Sequence, residues 1–86
     1  MLDRVTIDRT LFAMQLGEVM RQTRESQGLC QRDAAVLIGI EPSKLCRWEK
    51  GRLEVSAFQL LQWSRAMGCE LGELVSHVQS ALAEDS

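Results

Sequence analysis

Three cationic side chains recur at three-residue intervals in one short segment of the chain. Lys44, Arg47 and Lys50 follow Pro42, and Gly51 ends the segment. Proline is tolerated in the first turn of a helix and glycine commonly follows the last turn, so we predict a short helix over 42–50. Arginine can bond a guanine edge or a phosphate, and lysine pairs with phosphates. These residue types therefore suit contact with a nucleic acid.

Helical periodicity gives this predicted helix two faces. At 100° per residue, Leu45 and Trp48 lie together and are expected to face a core. The opposite side presents Ser43, Cys46, Arg47 and Lys50, with Pro42 and Lys44 at its flanks. A plain solvated face has the same pattern, and periodicity alone favours that explanation over DNA reading.

The rest of the chain predicts further helices around this one. Five helices are expected over about 10–27, 31–38, 42–50, from the cap Ser56 to Gly68, and from about 70 onward. Period-two alternation is confined to the first residues, Leu2, Val5 and Ile7, which could form a short strand or arm. We therefore predict an all-α fold in which residues 1–86 form one domain.

Charge is unevenly distributed along the sequence. The net charge is −2, yet residues 21–52 hold seven basic against four acidic residues, and residues 53–86 hold one against five. A local cationic patch matters more for a polyanionic partner than the total does. One surface could thus meet phosphates while the remainder stays acidic.

Several classes of protein are excluded by what the sequence lacks. No apolar run is long enough to cross a bilayer, and charges within the first ten residues argue against a signal peptide, so we expect a cytoplasmic protein. Three cysteines without CxxC spacing predict neither a disulfide framework nor a zinc site. His77 is the sole histidine and has no evident acid or base partner, so we expect no enzyme, metal or cofactor.

The segment from the first to the third predicted helix resembles the lambda-repressor-like helix-turn-helix family. The resemblance covers about residues 16–75 and continues into Ala66–Leu74. The matching residues are Arg24, Gly28, Leu29, Gln31, Ala35, Gly39, Ile40, Ser43, Leu45, Trp48, Glu49 and Gly51. It implies a five-helix domain that binds double-stranded DNA.

Roles follow from the resemblance position by position. It implies a DNA-binding set of Gln31, Arg32, Pro42, Ser43, Lys44, Cys46, Arg47, Lys50 and Arg52. In that set Gln31 clamps a phosphate from the start of the second helix, and Lys50 and Arg52 hold the backbone beyond the recognition helix. Arg24 and Glu49 occupy positions that the family uses for a structural ion pair.

Four positions depart from the family pattern, and one of them is Cys46, which replaces a common serine on the DNA side. Cys30 replaces the usual serine or threonine cap, and a thiol is expected to cap the second helix poorly. Ala34 replaces a leucine, which leaves volume for Met20 or Trp63. Glu41 puts a negative charge near the expected phosphates, where it could serve the helix dipole or select against some bases.

Three functions remain open at this point. The first is a small homodimeric repressor that reads a palindromic operator. The second is the antitoxin of a toxin–antitoxin pair, which would bind a toxin or other protein partner and repress its own operon. The third is a redox-sensing regulator that uses Cys46, whose thiol pKa would have to be lowered.

Apolar residues outside the family core predict a dimer. The N-terminal arm, 1–10, and the prolonged last helix, 76–84, contain apolar groups that need a partner surface. The expected interface residues are Leu2, Val5, Ile7, Val78 and Leu82. The alternative is that both extensions fold back on their own domain.

Overall fold

The computed structural model describes residues 6–84, and within that range it contains five α-helices joined by short loops. They are α1 (Arg9–Ser26), α2 (Gln31–Ile38), α3 (Pro42–Glu49), α4 (Ala57–Met67) and α5 (Leu71–Glu84). Each bound lies within about a residue of its predicted place, and the all-α class is confirmed. No helix among the described residues is long and apolar enough to cross a membrane.

Local sequence accounts for most of the helix ends. Asp8 accepts a hydrogen bond from the backbone N–H of Leu11 at 2.9 Å, which caps α1. Ser56 and Gln59 form a reciprocal capping box at the start of α4. Gly39 ends α2 in the left-handed conformation, with a φ of 71°. Residues with a side chain rarely adopt this conformation, whereas glycine adopts it readily. The turn between α2 and α3 is therefore set by the local sequence.

The weak cap at the start of α2 is present in the structure. The Cys30 Sγ accepts from the backbone N–H of Asp33 at 3.5 Å, a longer contact than an oxygen cap makes. The helix nevertheless begins at the next residue, because Ala34, Ala35 and Ile38 are buried along one of its faces. Tertiary packing thus compensates for a poor cap.

Two tryptophans are the largest side chains of a core shared by all five helices. Helix α1 packs against α3 and α5, α2 packs against α3 and α4, and α4 packs against α5. The buried apolar residues are Leu16, Val19, Met20, Ala34, Ala35, Ile38, Leu45, Trp48, Trp63, Met67, Leu74 and Val78. Met20, Ala34 and Trp63 are all fully buried in this cluster.

Apolar spacing did not separate core positions from surface positions everywhere. On α1, Phe12 remains 39% exposed although it lies at the spacing of the buried face. On α4, Phe58 is 69% exposed and Leu61 is also exposed, and on α5 Val75 is exposed. The buried stripes are therefore narrower than the apolar patterns predict.

The assignment of Val78 to a partner interface is wrong. Val78 is only 2% exposed and belongs to the core of its own chain, where α5 packs along α1. Leu82 is half-buried and packs against the same core. Of the other expected interface residues, Ile7 is exposed, while Leu2 and Val5 lie outside the described residues. The prolonged last helix thus folds back on its own domain.

A matched pair of valines on α5 tests this placement. We expect Val78→Asp to lower the free energy of unfolding by at least about 3 kcal/mol, because it buries an unpaired charge. The control Val75→Asp, on the exposed side, is expected to change it by less than about 0.5 kcal/mol. Urea unfolding measures both. A loss for Val78→Asp that depends on protein concentration would instead assign Val78 to an interface.

Candidate nucleic-acid interface

Helix α3 has the two faces that its periodicity predicts. Leu45 and Trp48 are buried on one side, whereas Ser43 and Arg47 are exposed on the other and Cys46 is half-buried. The buried side attaches this eight-residue helix to the core, since a helix of that length is not stable alone. The other side is left free for a ligand.

One of the α3 cations lies against the core rather than free in solvent. The Lys44 Nζ lies 5.5 Å from the ring centroid of Trp48, one turn further along α3. An ammonium over an indole face is stabilised by the electrons of the ring. Lys44 is therefore half-buried at the flank of the exposed face, with its charge beside the Trp48 ring.

Glu41 is the N-cap residue of α3, but its side chain forms no capping hydrogen bond. Its carbonyl oxygen accepts from the backbone N–H groups of Lys44 and Leu45 at 3.0 and 3.3 Å. Its exposed carboxylate makes no hydrogen bond to the first turn. A carboxylate at a helix N-terminus is favoured by the dipole but would repel a phosphate. The charge at this end of α3 therefore opposes the cations at the other end.

A buried ion pair joins the end of α3 to α1. The Arg24 Nε lies 2.7 Å from the Glu49 Oε2, and the Nη2 lies 3.0 Å from the Oε1. Arg24 also donates to the carbonyl oxygen of Leu29 at 2.8 Å. Its bond to Glu49 raises the pKa of the Arg24 guanidinium above its usual value. The pair that the family resemblance implies is thus confirmed, with both side chains about nine-tenths buried.

Gln31 is attached to this pair, a contact that the sequence analysis missed. Its Nε2 donates to the Glu49 Oε1 at 2.9 Å, so one carboxylate accepts from side chains of both α1 and α2. The second N–H and the carbonyl oxygen of the amide are additional bonding groups. Residues 31 and 49 are far apart in sequence, and periodicity within one helix cannot indicate such a contact. Gln31, the residue expected to bind a phosphate, is therefore attached by its side chain to the end of α3.

Within residues 6–84, the remaining cations of the predicted set have no acidic partner. Among residues 6–84, the arginines in ion pairs are Arg9, Arg21 and Arg24. Arg32, Arg47, Lys50 and Arg52 are exposed and form no ion pair within that range, and neither does Arg65 on α4. The exposed end of α3 and the residues after it therefore keep their positive charge available.

The geometry defines a class of protein. Two short helices, α2 and α3, are joined by only three residues, and the second presents an exposed cationic face. That arrangement is a helix-turn-helix. A model of the helix-turn-helix domain family matches residues 15–78. The chain belongs to this family, in its lambda-repressor-like group, whose members are DNA-binding transcription regulators.

Known proteins similar to this chain include two regulators of solved structure. The clp gene regulator ClgR from Corynebacterium glutamicum is 26% identical, with a TM-score of 0.84 over 91% of this chain and 83% of that chain. The restriction-modification controller protein C.AhdI from Aeromonas hydrophila is 31% identical, with a TM-score of 0.69 over 72% and 94%.

A curated human protein is also similar. Endothelial differentiation-related factor 1 is 35% identical over 69 residues, which cover 80% of this chain and 42% of that protein. The chain therefore spans less than half the length of this relative. The likeness shows a shared domain, and the activity of the whole relative does not follow from it.

Removal of either partner of the buried pair is expected to be costly. Glu49→Ala leaves the Arg24 guanidinium buried without its acceptor, which typically costs about 3–5 kcal/mol of unfolding free energy. Glu18→Ala is the matched control, because Glu18 pairs with Arg21 at the surface of the same helix and such pairs contribute about 1 kcal/mol or less. Thermal unfolding compares the two variants. Equal losses would contradict the central position of the Arg24–Glu49 pair.

Proposed function

We propose that this protein is a sequence-specific, homodimeric transcriptional repressor that reads a palindromic operator with α3. The observation that supports it is the division of the described cations into two groups. Those of α1 are paired with acids, whereas Arg47, Lys50 and Arg52 are exposed and unpaired. An unpaired cation can bind a phosphate or a base without giving up another partner. Among residues 6–84, most cations without an acidic partner thus lie on α3 or directly after it, and the others are Arg32 and Arg65.

The residues of the proposed interface divide between base edges and phosphates. Arg47 and Ser43 are exposed on α3 and, with Pro42 and Cys46, are assigned to base edges in the major groove. Phosphate contacts are assigned to exposed or flanking cations. They are Arg32, Lys44, Lys50 and Arg52. Backbone contacts of this kind fix the register of the protein on the duplex.

Gln31 has a double role in this proposal. It is the first residue of α2, where free backbone N–H groups and the helix dipole favour an anion. Its side chain is oriented by the bond to Glu49 at the end of α3. A phosphate bound at the start of α2 is therefore placed at a fixed distance from the recognition helix, which helps to set the register.

The homodimer follows from how little one short helix can contact. Eight residues of α3 offer few contacts, while two copies about 34–36 Å apart read two half-sites in successive major grooves. We assign the contact between copies to the N-terminal groove, lined by Ile7, Arg9, Phe12 and Glu54. Ile7 is 62% exposed there, beside the Arg9–Glu54 ion pair. A combination of apolar and charged side chains is common in protein interfaces.

The repressor role needs no further chemistry from the chain. A bound dimer occupies its site and excludes other proteins from the same DNA, so we propose neither a catalytic role nor a cofactor. A DNA target agrees with the expected cytoplasmic location. The antitoxin alternative gains no support from the two solved structures named above, which are a gene regulator and a controller protein.

Two variants on α3 separate base reading from phosphate binding. The probe is a duplex selected by the wild-type protein from a random library, compared with a shuffled duplex. Arg47→Ala is expected to lose about 1–3 kcal/mol on the selected duplex and less on the shuffled one. Lys50→Ala is expected to weaken both similarly and to reduce the salt slope by about 1.

Arg65→Ala is the control for these measurements, because Arg65 lies on α4 and forms no ion pair within residues 6–84. It is expected to leave binding to both duplexes unchanged. Fluorescence anisotropy at several salt concentrations measures all three variants. If Arg65→Ala weakens binding as much as Lys50→Ala does, the interface is not confined to α3 and its neighbours. If the wild type selects no duplex at all, the proposed function is wrong.

The dimer is tested by charge substitutions at two exposed apolar sites. We expect the wild type to sediment as a dimer at micromolar concentration and Ile7→Asp to sediment as a monomer, because it places a charge in the N-terminal groove. Phe58→Asp changes an equally exposed residue on α4 and is expected to leave the dimer intact. If only Phe58→Asp splits the dimer, the contact lies on α4. A monomeric wild type that binds its selected duplex tightly contradicts the dimer altogether.

A further inference from the structure

Helix α1 approaches the end of the recognition helix at backbone distance. A Cβ atom added at Gly17 would lie 2.4 Å from the carbonyl oxygen of Trp48 and 2.5 Å from that of Glu49. These distances are far inside van der Waals contact, and the obstructing atoms are backbone rather than a flexible side chain. Only a residue without a side chain fits at this point of α1.

A second glycine meets α1 from the opposite side of the same contact. Gly51 follows α3 with a φ of +71°, and a Cβ there would lie 2.9 Å from both the Cα and the N of Met14. α1 and the end of α3 can thus approach each other closely because each has a glycine at the point of contact. We call Gly17 and Gly51 the glycine contact.

The glycine contact and the buried ion pair act on the same end of α3. Gly17 and Arg24 are seven residues apart on α1, so they lie on one face of it about 10.5 Å apart along the axis. Gly17 limits how closely α1 and the last backbone carbonyls of α3 approach each other. Arg24 holds the Glu49 side chain of the same turn. One contact fixes the separation of the helices, and the other fixes which side of α3 faces α1.

We propose that Gly17 is a positioning residue for DNA recognition, a role that rests on the proposed function. Its missing side chain sets the separation between α1 and the end of α3, and hence the position at which Arg47 and Ser43 present their groups. Gly17→Ala requires a displacement of roughly 1 Å, from 2.4 Å to an ordinary contact distance. Hydrogen bonding to base edges is more sensitive to such a displacement than attraction to phosphates is.

The test compares discrimination with affinity in the full chain. The probes are a duplex selected by the wild type from a random library and a shuffled duplex of the same composition. Gly17→Ala is expected to lose about tenfold or more of the preference for the selected duplex, the size of one base contact, while its affinity for the shuffled duplex changes less than about twofold. Loss of stability alone would lower both affinities together.

Two controls isolate the glycine contact from other effects. Gly72→Ala adds the same methyl group on α5, where no atom lies within 4 Å, and is expected to leave discrimination unchanged. Leu82→Ala removes a half-buried core contact on α5, away from α3, and is expected to lower the melting temperature without changing discrimination. The ratio of the affinities for the selected and the shuffled duplex is thus the measurement that a loss of stability alone does not change.

A second readout does not depend on DNA. In a Trp63→Phe background Trp48 is the sole tryptophan, and Gly17→Ala is expected to shift its emission to longer wavelength as the end of α3 moves. If Gly17→Ala does not fold, Gly51→Ala replaces it as a variant that separates the two elements from the α3 side. Its control is Gly68→Ala, which has the same left-handed strain at a φ of +69° but meets no neighbouring element. A folded variant with unchanged emission, or with the wild-type ratio of affinities, overturns the proposal. A wild type that selects no duplex removes the proposed function, and the positioning role falls with it even if the emission shifts.

Discussion

The relative arrangement of the first three helices depends on one buried carboxylate. Glu49 accepts two hydrogen bonds from Arg24 of α1 and one from Gln31 of α2, while it belongs to α3 itself. A charge removed from water is tolerable only when it is paired and fully hydrogen-bonded, so the three helices must come together in one arrangement. The requirement acts at the end of α3, where Gly17 also contacts the backbone. The orientation of the recognition helix is therefore specified by polar and steric constraints together with the apolar core.

Such a pair contributes more to specificity of structure than to stability. Burying both ions costs solvation energy that their attraction only partly returns, and apolar replacements of the same shape are often as stable. An apolar contact would also hold α3, but it would tolerate small rotations because it has no direction. The bidentate bond between Arg24 and Glu49 has a fixed geometry. Under the proposed function α3 benefits from that restriction, because hydrogen bonds to base edges weaken steeply with misalignment.

Sequence reasoning predicted local features better than distant contacts. Helix ends followed from Pro42, Ser56, Gly39 and Gly68, whose conformations are set by the chain nearby. The faces of α3 followed from periodicity, and the ion pair from the family resemblance. The bond from Gln31 to Glu49 joins residues on different helices and leaves no periodic signal. Val78 was assigned to a partner because an apolar stripe does not indicate whether it faces its own core or another chain.

The distribution of ion pairs explains how a chain of net charge −2 can present a cationic surface. Helix α1 holds its own acids and bases together. Arg21 bonds both Glu18 and Glu25, and it lowers the pKa of the Glu18 carboxyl below its usual value. These acids are occupied, and their field is largely cancelled within a few ångströms. Around α3 the balance is different, since Glu49 is buried in its pair and Glu41 is the exposed acid of that helix boundary. The local charge that faces a ligand thus depends on which acidic side chains are already paired with basic ones. The net charge of the sequence does not contain this information.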